Sequence, residues 1–223
     1  MISIKVFVFN DFQVNTYLLF DESGEAIIID PGNSTEEENR RLDTFIEEHK
    51  LRLTGLYNTH LHIDHMFGNE YVKQKYQLKF RIHPDGIHFL NTAIGFASVF
   101  GFNLQKVAQP DGEMLEGEVI RFGNASLEVI ETPGHAAGSF CFVCREEAFV
   151  IVGDVLFSGS IGRTDLPSGD MDTLLASIKE KLIPLGDHFV VHCGHGPETT
   201  IGEERKYNPF LNEIGRASCR KRV

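Results

Sequence analysis

Apolar and polar residues alternate along the first part of the chain with the period of β-strands. The alternation begins at residues 4–8, and short continuous apolar runs follow at 16–20 and 26–29. Alternation with a period of two predicts a strand with one buried face, whereas a short continuous run predicts a strand that is buried on both faces. Leu42 and Ile46 then share one face of a helical repeat, which predicts the first helix.

Further along the chain, strands again come in groups with helices between the groups. The pattern predicts a strand at 53–57, a helix at about 66–76, several strands between 119 and 152, a helix at about 171–182 and a strand at 189–191. Residues 85–110 are the least regular part, and their Phe and Gly residues are typical of core or of a lid.

The domain organisation follows from this grouping. Because no Gly/Ser-rich linker divides the chain, we expect one α+β domain of layered sheets with helices outside, over residues 1–212. Residues 213–223 resemble translated sequencing-adapter DNA, and we predict that they are a non-native tail.

Net charge and hydropathy indicate whether the protein binds nucleic acids or membranes. The 21 basic and 32 acidic residues give a formal net charge of −11. Such a surface repels phosphate backbones, so we expect no nucleic-acid partner. No apolar run approaches the roughly 18 residues that suggest a membrane span, and the first residues read as a strand instead of a secretory signal. The sequence therefore predicts a cytoplasmic protein without a membrane partner, and it does not indicate an oligomeric state.

The strongest chemical signal is the segment His60-x-His62-x-Asp64-His65. Residues two apart on an extended segment point the same way, so His60 and His62 can hold one metal ion together. Asp64 and His65 turn into the following helix and can face a second ion. The alternative, that these side chains only cap the helix or hydrogen-bond the backbone, is the weaker interpretation for three histidines and an aspartate in so short a segment.

Three more polar residues, each beside a glycine, follow later apolar runs: His135, Asp154 and His195. Glycine lets the backbone turn tightly and approach a site closely. Considered alone, each could be an ordinary loop residue. Three strand ends that all deliver metal-ligand side chains predict a shared site.

Seven ligands are too many for one tetrahedral ion and suit two divalent ions that share an aspartate. Asp154 is the natural bridge, because a carboxylate has two oxygens to share. Such a centre attracts a carbonyl oxygen and keeps a nucleophile deprotonated at neutral pH. The set lacks a thiolate, so it does not choose among zinc, iron and manganese; zinc is the first expectation, and iron and manganese stay open. Asp30, at the end of a buried strand, either hydrogen-bonds a ligand histidine or only stabilises the next turn.

In these motifs the chain resembles the metallo-β-lactamase superfamily, and within it the short hydrolases similar to glyoxalase II. The matching segments cover nearly the whole chain in the family's order: 30–32, 59–65, 133–135, 153–154 and 194–197. The resemblance implies a four-layer αβ/βα sandwich, the metallo-β-lactamase fold. By the family's pattern, the first ion is held by His60, His62 and His135, the second by Asp64, His65 and His195, and Asp154 bridges them.

The segments 159–167 and 196–205 are similar to those of short, single-domain glyoxalase II-like enzymes. This resemblance implies hydrolysis of a small-molecule thioester of the hydroxyacylglutathione type. A hydroxide between the two metals would attack the thioester carbonyl, and the catalytic residue Asp64 would orient it. Arg163 occupies the position of a glutathione-contacting lysine in that family and is predicted to bind a substrate carboxylate. Full-length glyoxalase II also has a C-terminal helical domain that grips glutathione; we expect none in this chain, which leaves recognition of glutathione open.

Other functions are compatible with the same motifs. A persulfide dioxygenase of the same superfamily would use one iron, bound by His60, His135 and Asp154. Lactonase activity is a further alternative, whereas a β-lactamase is a weaker one because zinc-dependent ones often have cysteine where this chain has Asp154. From a different class comes a non-catalytic protein, whose metals would only stabilise the fold or a binding surface.

Overall fold

The strands of the computed structural model, which describes residues 1–212, form two facing sheets. The first sheet contains, in spatial order, β1 (Ser3–Phe9), β2 (Val14–Phe20), β3 (Glu25–Ile29) and β4 (Arg52–Tyr57). Neighbours are antiparallel except β3 and β4, which are parallel and joined by helix α1 (Glu36–Glu48). Parallel neighbours need such a crossover connection. A short parallel pair follows, β5 (Arg81–Ile82) with β6 (Gly112–Glu113).

The second sheet has six strands. In spatial order they are β7 (Val119–Phe122), β8 (Ala125–Glu131), β9 (Phe140–Cys144), β10 (Phe149–Gly153), β13 (Val190–Cys193) and β14 (Thr199–Thr200). Between β10 and β13 in the chain lies a two-stranded hairpin, β11 (Leu156–Phe157) with β12 (Ser160–Ile161). β10 and β13 are the parallel pair of this sheet, as β3 and β4 are of the first.

Alternate residues of each strand face opposite layers, and this divides the core into three parts. Ile27 of β3 and Ile151 of β10 both face the space between the sheets, where they pack in one cluster with Phe142. The next residue along β3, Ile28, packs with the helices that cover the first sheet, and Val150 of β10 packs with those that cover the second. The layers are helices, sheet, sheet and helices. The predicted four-layer sandwich is confirmed.

The remaining helices are short except one, which is as long as α1. They are α2 (Ile63–Met66), α3 (Asn69–Tyr76), α4 (Ile87–Val99), α5 (Met171–Ser177) and α6 (Ile201–Tyr207), with a 3₁₀ turn at Pro84–Gly86, a π-helical turn at Ile178–Leu182 and a 3₁₀ turn at Ile183–Leu185. Within residues 1–212, no helix has the length and apolar character to cross a membrane. The predicted tail, 213–223, lies outside the described residues, so that prediction and the domain boundary at 212 stay predictions.

Residues 85–110 contain the main departure from the sequence prediction. Where the sequence indicated an irregular segment, the structure has the 13-residue helix α4. Leu90, Ala93 and Ala97 are its buried residues, and their spacing is that of one helical face. Apolar residues such as Ile94 and Val99 also lie on its exposed side. Because apolar residues such as these lie beside the polar residues of the exposed side, the polar face is narrow and the helical period is weak in the sequence.

Candidate metal centre

The seven side chains predicted as ligands converge at one end of the two sheets. Two follow β4, two lie in α2, and one each follows β8, β10 and β13, in the order His60, His62, Asp64, His65, His135, Asp154 and His195. Their ligand atoms form overlapping groups of three in which all atoms lie within 4.8 Å of one another. The structure thus brings together every residue of the predicted set.

Three imidazoles form the first group. His60 Nε2 lies 3.0 Å from His62 Nδ1, and His135 Nε2 lies 3.3 Å from the first of these atoms and 3.0 Å from the second. A ring nitrogen has one in-plane position for a proton or a lone pair, so hydrogen bonds cannot satisfy all three edges of this triangle. Two ligands about 2.05 Å from a tetrahedral ion lie roughly 3.3 Å apart. The triangle therefore fits three ligands of one ion.

The second group contains a carboxylate. Asp64 Oδ2 lies 3.1 Å from His195 Nε2 and 3.6 Å from His65 Nε2. Asp154 lies between the two groups, with its Oδ2 atom 3.7 Å from His135 Nε2 and 3.6 Å from His195 Nε2, and its Oδ1 atom 3.4 Å from His65 Nε2. Asp154 is therefore within reach of both groups, as a bridging ligand has to be.

Hydrogen-bond acceptors hold the far ring nitrogen of four histidines. They are the Thr59 hydroxyl for His60 (3.1 Å), the Asp30 carboxylate for His65 (3.0 Å), the Arg163 carbonyl for His135 (2.8 Å) and the Phe12 carbonyl for His195 (3.0 Å). A proton that Nδ1 donates to such an acceptor leaves the lone pair of Nε2 directed at the centre. Sequence reasoning missed the Phe12 and Arg163 carbonyls, because a backbone acceptor leaves no mark in residue type.

Asp30 is fully buried and supports a histidine of each group. Its Oδ2 atom accepts hydrogen bonds from His65 Nδ1 (3.0 Å) and the Thr59 hydroxyl (2.7 Å), and its Oδ1 atom accepts one from the Thr59 backbone N–H (2.7 Å). The same hydroxyl accepts from His60 Nδ1. Of the two interpretations of Asp30, the hydrogen bond to a histidine of the set is confirmed.

Most of these groups have pKa values that favour the protonation states that bind metal. Burial alone would raise the pKa of Asp154, but neighbouring imidazoles, His65 foremost, outweigh it and hold that pKa well below its usual range. Burial lowers the pKa of His62 to about 3, and burial with the neighbouring imidazoles lowers that of His60 well below its ordinary value. Ionised carboxylates and neutral imidazoles are the forms that ligate a metal.

The surroundings of His65 indicate whether metal cations suit the centre. Burial would lower its pKa, but the surrounding carboxylates, Asp64 first and then Asp154 and Asp30, outweigh it and raise the pKa well above the ordinary value. Among the described residues, the buried atoms His65 Nε2 and Asp154 Oδ1 have no hydrogen-bond partner. A buried polar atom left unpaired costs about 1–3 kcal/mol. Divalent cations would give both atoms a partner and balance the carboxylates, so the residues fit a two-ion centre.

Position 194, just before His195, requires glycine because the backbone there passes very close to side chains of the centre. A Cβ atom at this position would lie 2.1 Å from Asp154 Oδ1 and 2.8 Å from His65 Cε1. Both distances are far inside van der Waals contact. The glycine therefore allows the chain after β13 to pass against the centre.

Arg163, predicted to bind a substrate carboxylate, contributes its backbone to the centre through the carbonyl that His135 contacts. Its guanidinium forms a two-point ion pair with Asp165, at 2.7 and 2.8 Å, and the side chain is 60% exposed. The adjacent carboxylate thus compensates its charge in this structure. The substrate contact stays a prediction.

Comparison with known proteins finds a family model and a named relative that each match most of this chain. The family model described as "Metallo-beta-lactamase superfamily" matches residues 9–195. A relative from Haemophilus influenzae, named hydroxyacylglutathione hydrolase GloC, is 38% identical over 212 residues, which are 94% of this chain and 98% of the relative.

Two solved structures share the fold and are each 34% identical to this chain in sequence. The BLEG-1 B3 metallo-beta-lactamase superposes with a TM-score of 0.86 and 34% identity, covering 94% of this chain and all of that one. The protein TTHA1623, solved in a di-iron-bound form, superposes with a TM-score of 0.83 and 34% identity, covering 93% of this chain and all of that one.

Proposed function

The chain belongs to the metallo-beta-lactamase superfamily, whose members bind divalent metal ions and include hydrolases, and we propose that it is a thioester hydrolase of the hydroxyacylglutathione hydrolase type. The relative that carries this name covers nearly the whole of both chains. With a net charge of −11, a small molecule is a better partner than a nucleic acid.

The observation that carries the proposal is the pair of three-residue groups that meet at Asp154. His60, His62 and His135 would hold one ion, and Asp64, His65 and His195 would hold the other. Structural zinc sites are typically built from two to four cysteine thiolates, whereas these two groups contain only histidines and aspartates, the donors of many catalytic sites. This difference favours catalysis over a purely stabilising role.

Two ions bound here would polarise a carbonyl group and lower the pKa of a water molecule. The chain supplies the proton acceptor beside them. Burial would raise the pKa of Asp64, but His65 and the hydrogen bond from His195 outweigh it and lower the pKa, so Asp64 is a carboxylate at neutral pH. With its Oδ2 atom among the ligands of the second group, Asp64 would orient the attacking water and accept its proton through the other oxygen of its carboxylate.

A thioester suits this arrangement because its leaving group needs little help. A thiolate with a pKa of about 8.5 departs without prior protonation, whereas the amine of an amide or lactam must receive a proton. Hydrolysis then requires a nucleophile, a stabilised oxyanion and a means of positioning the carbonyl. The similarity to a B3 metallo-beta-lactamase makes lactam hydrolysis the second activity to measure.

Zinc is the first candidate metal and iron the second, since a protein 34% identical to this chain was solved with two irons. The histidine and aspartate donors accept either metal. Persulfide oxidation with one iron on His60, His135 and Asp154 would not use His62, Asp64, His65 and His195 as ligands. Their convergence supports a second ion, and measuring oxygen uptake beside thioester hydrolysis separates the two activities.

The direct test is the loss of thioester absorbance of S-lactoylglutathione, with protein loaded separately with zinc, iron and manganese. We expect hydrolysis that a chelator abolishes and that returning the metal restores. The same preparations are assayed with a β-lactam and, by oxygen uptake, with glutathione persulfide. Oxygen uptake without thioester hydrolysis would overturn the proposal in favour of the dioxygenase.

A further inference from the structure

An apolar pocket of about 240 Å³ lies beside the first group of histidines. Phe89, Ala93 and Phe96 of helix α4 line it, and so do Leu166 and Pro167 from a distant part of the chain. The pocket is smaller than the roughly 300–1,000 Å³ of sites that enclose a whole ligand. It is therefore suited to one arm of a molecule whose remainder lies elsewhere.

The pocket adjoins the candidate metal centre. The His62 ring, whose Nδ1 atom belongs to the first group, is one of the lining side chains. The Phe89 ring meets this imidazole edge to face, with their centroids 5.1 Å apart. A substrate with its carbonyl at the centre can thus extend one arm along the imidazole into the pocket.

The lining contains few polar groups and no side chain that is permanently charged. Its ten residues include no Lys, Arg, Asp or Glu, and its polar groups are the imidazoles of His62 and His88 and the Thr92 hydroxyl. His88 Nδ1 contacts the Asp85 carbonyl at 2.9 Å, and the Thr92 hydroxyl donates to the His88 carbonyl at 3.0 Å. These contacts engage His88 Nδ1 and the Thr92 hydroxyl proton, and no Lys or Arg side chain lines the pocket to pair with a carboxylate. Burying a carboxylate in such surroundings without a partner is strongly unfavourable.

We propose that this pocket binds the acyl group of the substrate, and that the preferred substrates are glutathione thioesters of apolar acyl groups instead of the small, hydroxylated lactoyl group. The inference rests on the proposed thioesterase function. Glutathione carries two carboxylates and an ammonium group, which require water or charged partners, so the acyl group is the arm that fits an apolar pocket. The volume is about eight times the roughly 30 Å³ of a water molecule, enough for a chain of about six carbons.

The test is kcat/KM for S-acetyl-, S-butyryl-, S-hexanoyl- and S-lactoylglutathione with metal-loaded protein. Each methylene buried in the transition state should raise kcat/KM about threefold to fourfold until the pocket is full. Thr92→Phe adds a ring at an exposed position that lines the pocket, and Asn91→Phe adds the same ring at the neighbouring exposed position, which does not line it. We expect Thr92→Phe to lower the hexanoyl-to-acetyl ratio by about tenfold or more and Asn91→Phe to preserve it.

The possible outcomes separate the two proposals. Hydrolysis of every thioester with no dependence on chain length would overturn the acyl pocket and leave the thioesterase function intact. The same holds if Thr92→Phe keeps the wild-type dependence, because the acyl group would then bind elsewhere. No hydrolysis of any of these thioesters would overturn the thioesterase function, and the acyl pocket with it.

Discussion

Replacing Asp30 with asparagine tests how the buried carboxylate supports the centre. The asparagine would keep the size of the side chain and tolerate the left-handed backbone of this position, where φ is 53°. Its carbonyl oxygen can still accept the hydrogen bond from the Thr59 N–H. Its NH₂ group, however, would replace the Oδ2 atom that accepts from His65 Nδ1. His65 would have to accept at Nδ1, and its proton would move to Nε2, the atom that faces the centre.

The size of the effect follows from this change of tautomer. A protonated Nε2 cannot ligate, so binding a metal in the second group would first require His65 to give up the hydrogen bond that the asparagine offers. Losing such support typically costs about 10–100-fold in metal affinity, or about 1.4–2.7 kcal/mol. We expect this loss in the group of Asp64, His65 and His195. The first group should change less, because Asp30 reaches His60 only through the Thr59 hydroxyl.

The assay is titration with zinc in competition with a chromophoric chelator, which gives both stoichiometry and affinity. Asp43→Asn is a matched control. It removes another mostly buried carboxylate that accepts several hydrogen bonds, from Tyr71, Lys75 and Tyr76, and none of these residues belongs to the centre. The control should bind two ions with wild-type affinity. Wild-type affinity at both sites of Asp30→Asn would refute the orienting role of Asp30.

Three further predictions concern the centre and the fold. Asp64→Ala should lower kcat for the preferred thioester by about 10²-fold or more, since it removes a ligand and the proton acceptor. Near-normal turnover would contradict the catalytic role of Asp64. Gly194→Ala should weaken metal binding and lower the melting temperature, because its methyl group collides with Asp154; circular dichroism and metal analysis would detect both. Burial would raise the pKa of Asp43, but hydrogen bonds from Lys75, Tyr71 and Tyr76 outweigh it and lower the pKa. Asp43→Asn should therefore cost about 1–3 kcal/mol of unfolding free energy at pH 7, a difference that shrinks as the pH falls below about 4, and a difference that grows in acid would contradict this assignment.

The layers of the fold could be predicted because strand periodicity reports burial directly. In β3, successive residues such as Ile27 and Ile28 are both apolar because one faces the other sheet and the next faces the helices. The centre could be located because its ligands follow such strands. His60 and His62 come just after β4, and the ends of parallel strands meet at the same edge of a sheet.

Other features leave no pattern in the sequence. Helix α4 was not predicted because exposed apolar residues such as Ile94 obscure its period. Without that helix, the pocket lined by Phe89 and Phe96 could not be found, since its other lining residues include 166 and 167, far along the chain. The carbonyl of Phe12, which holds His195, lies 183 residues away from it in sequence, so only the assembled fold reveals the contact.

Anomalous diffraction at the zinc and iron edges, from crystals of protein purified with its native metal, tests the two-ion centre most directly. We expect two anomalous peaks about 3.5–4 Å apart. One should lie about 2.0–2.1 Å from nitrogens of His60, His62 and His135, the other should contact Asp64, His65 and His195, and Asp154 should contact both. A single iron bound by His60, His135 and Asp154, with nothing at the second group, would contradict the binuclear centre and favour the dioxygenase.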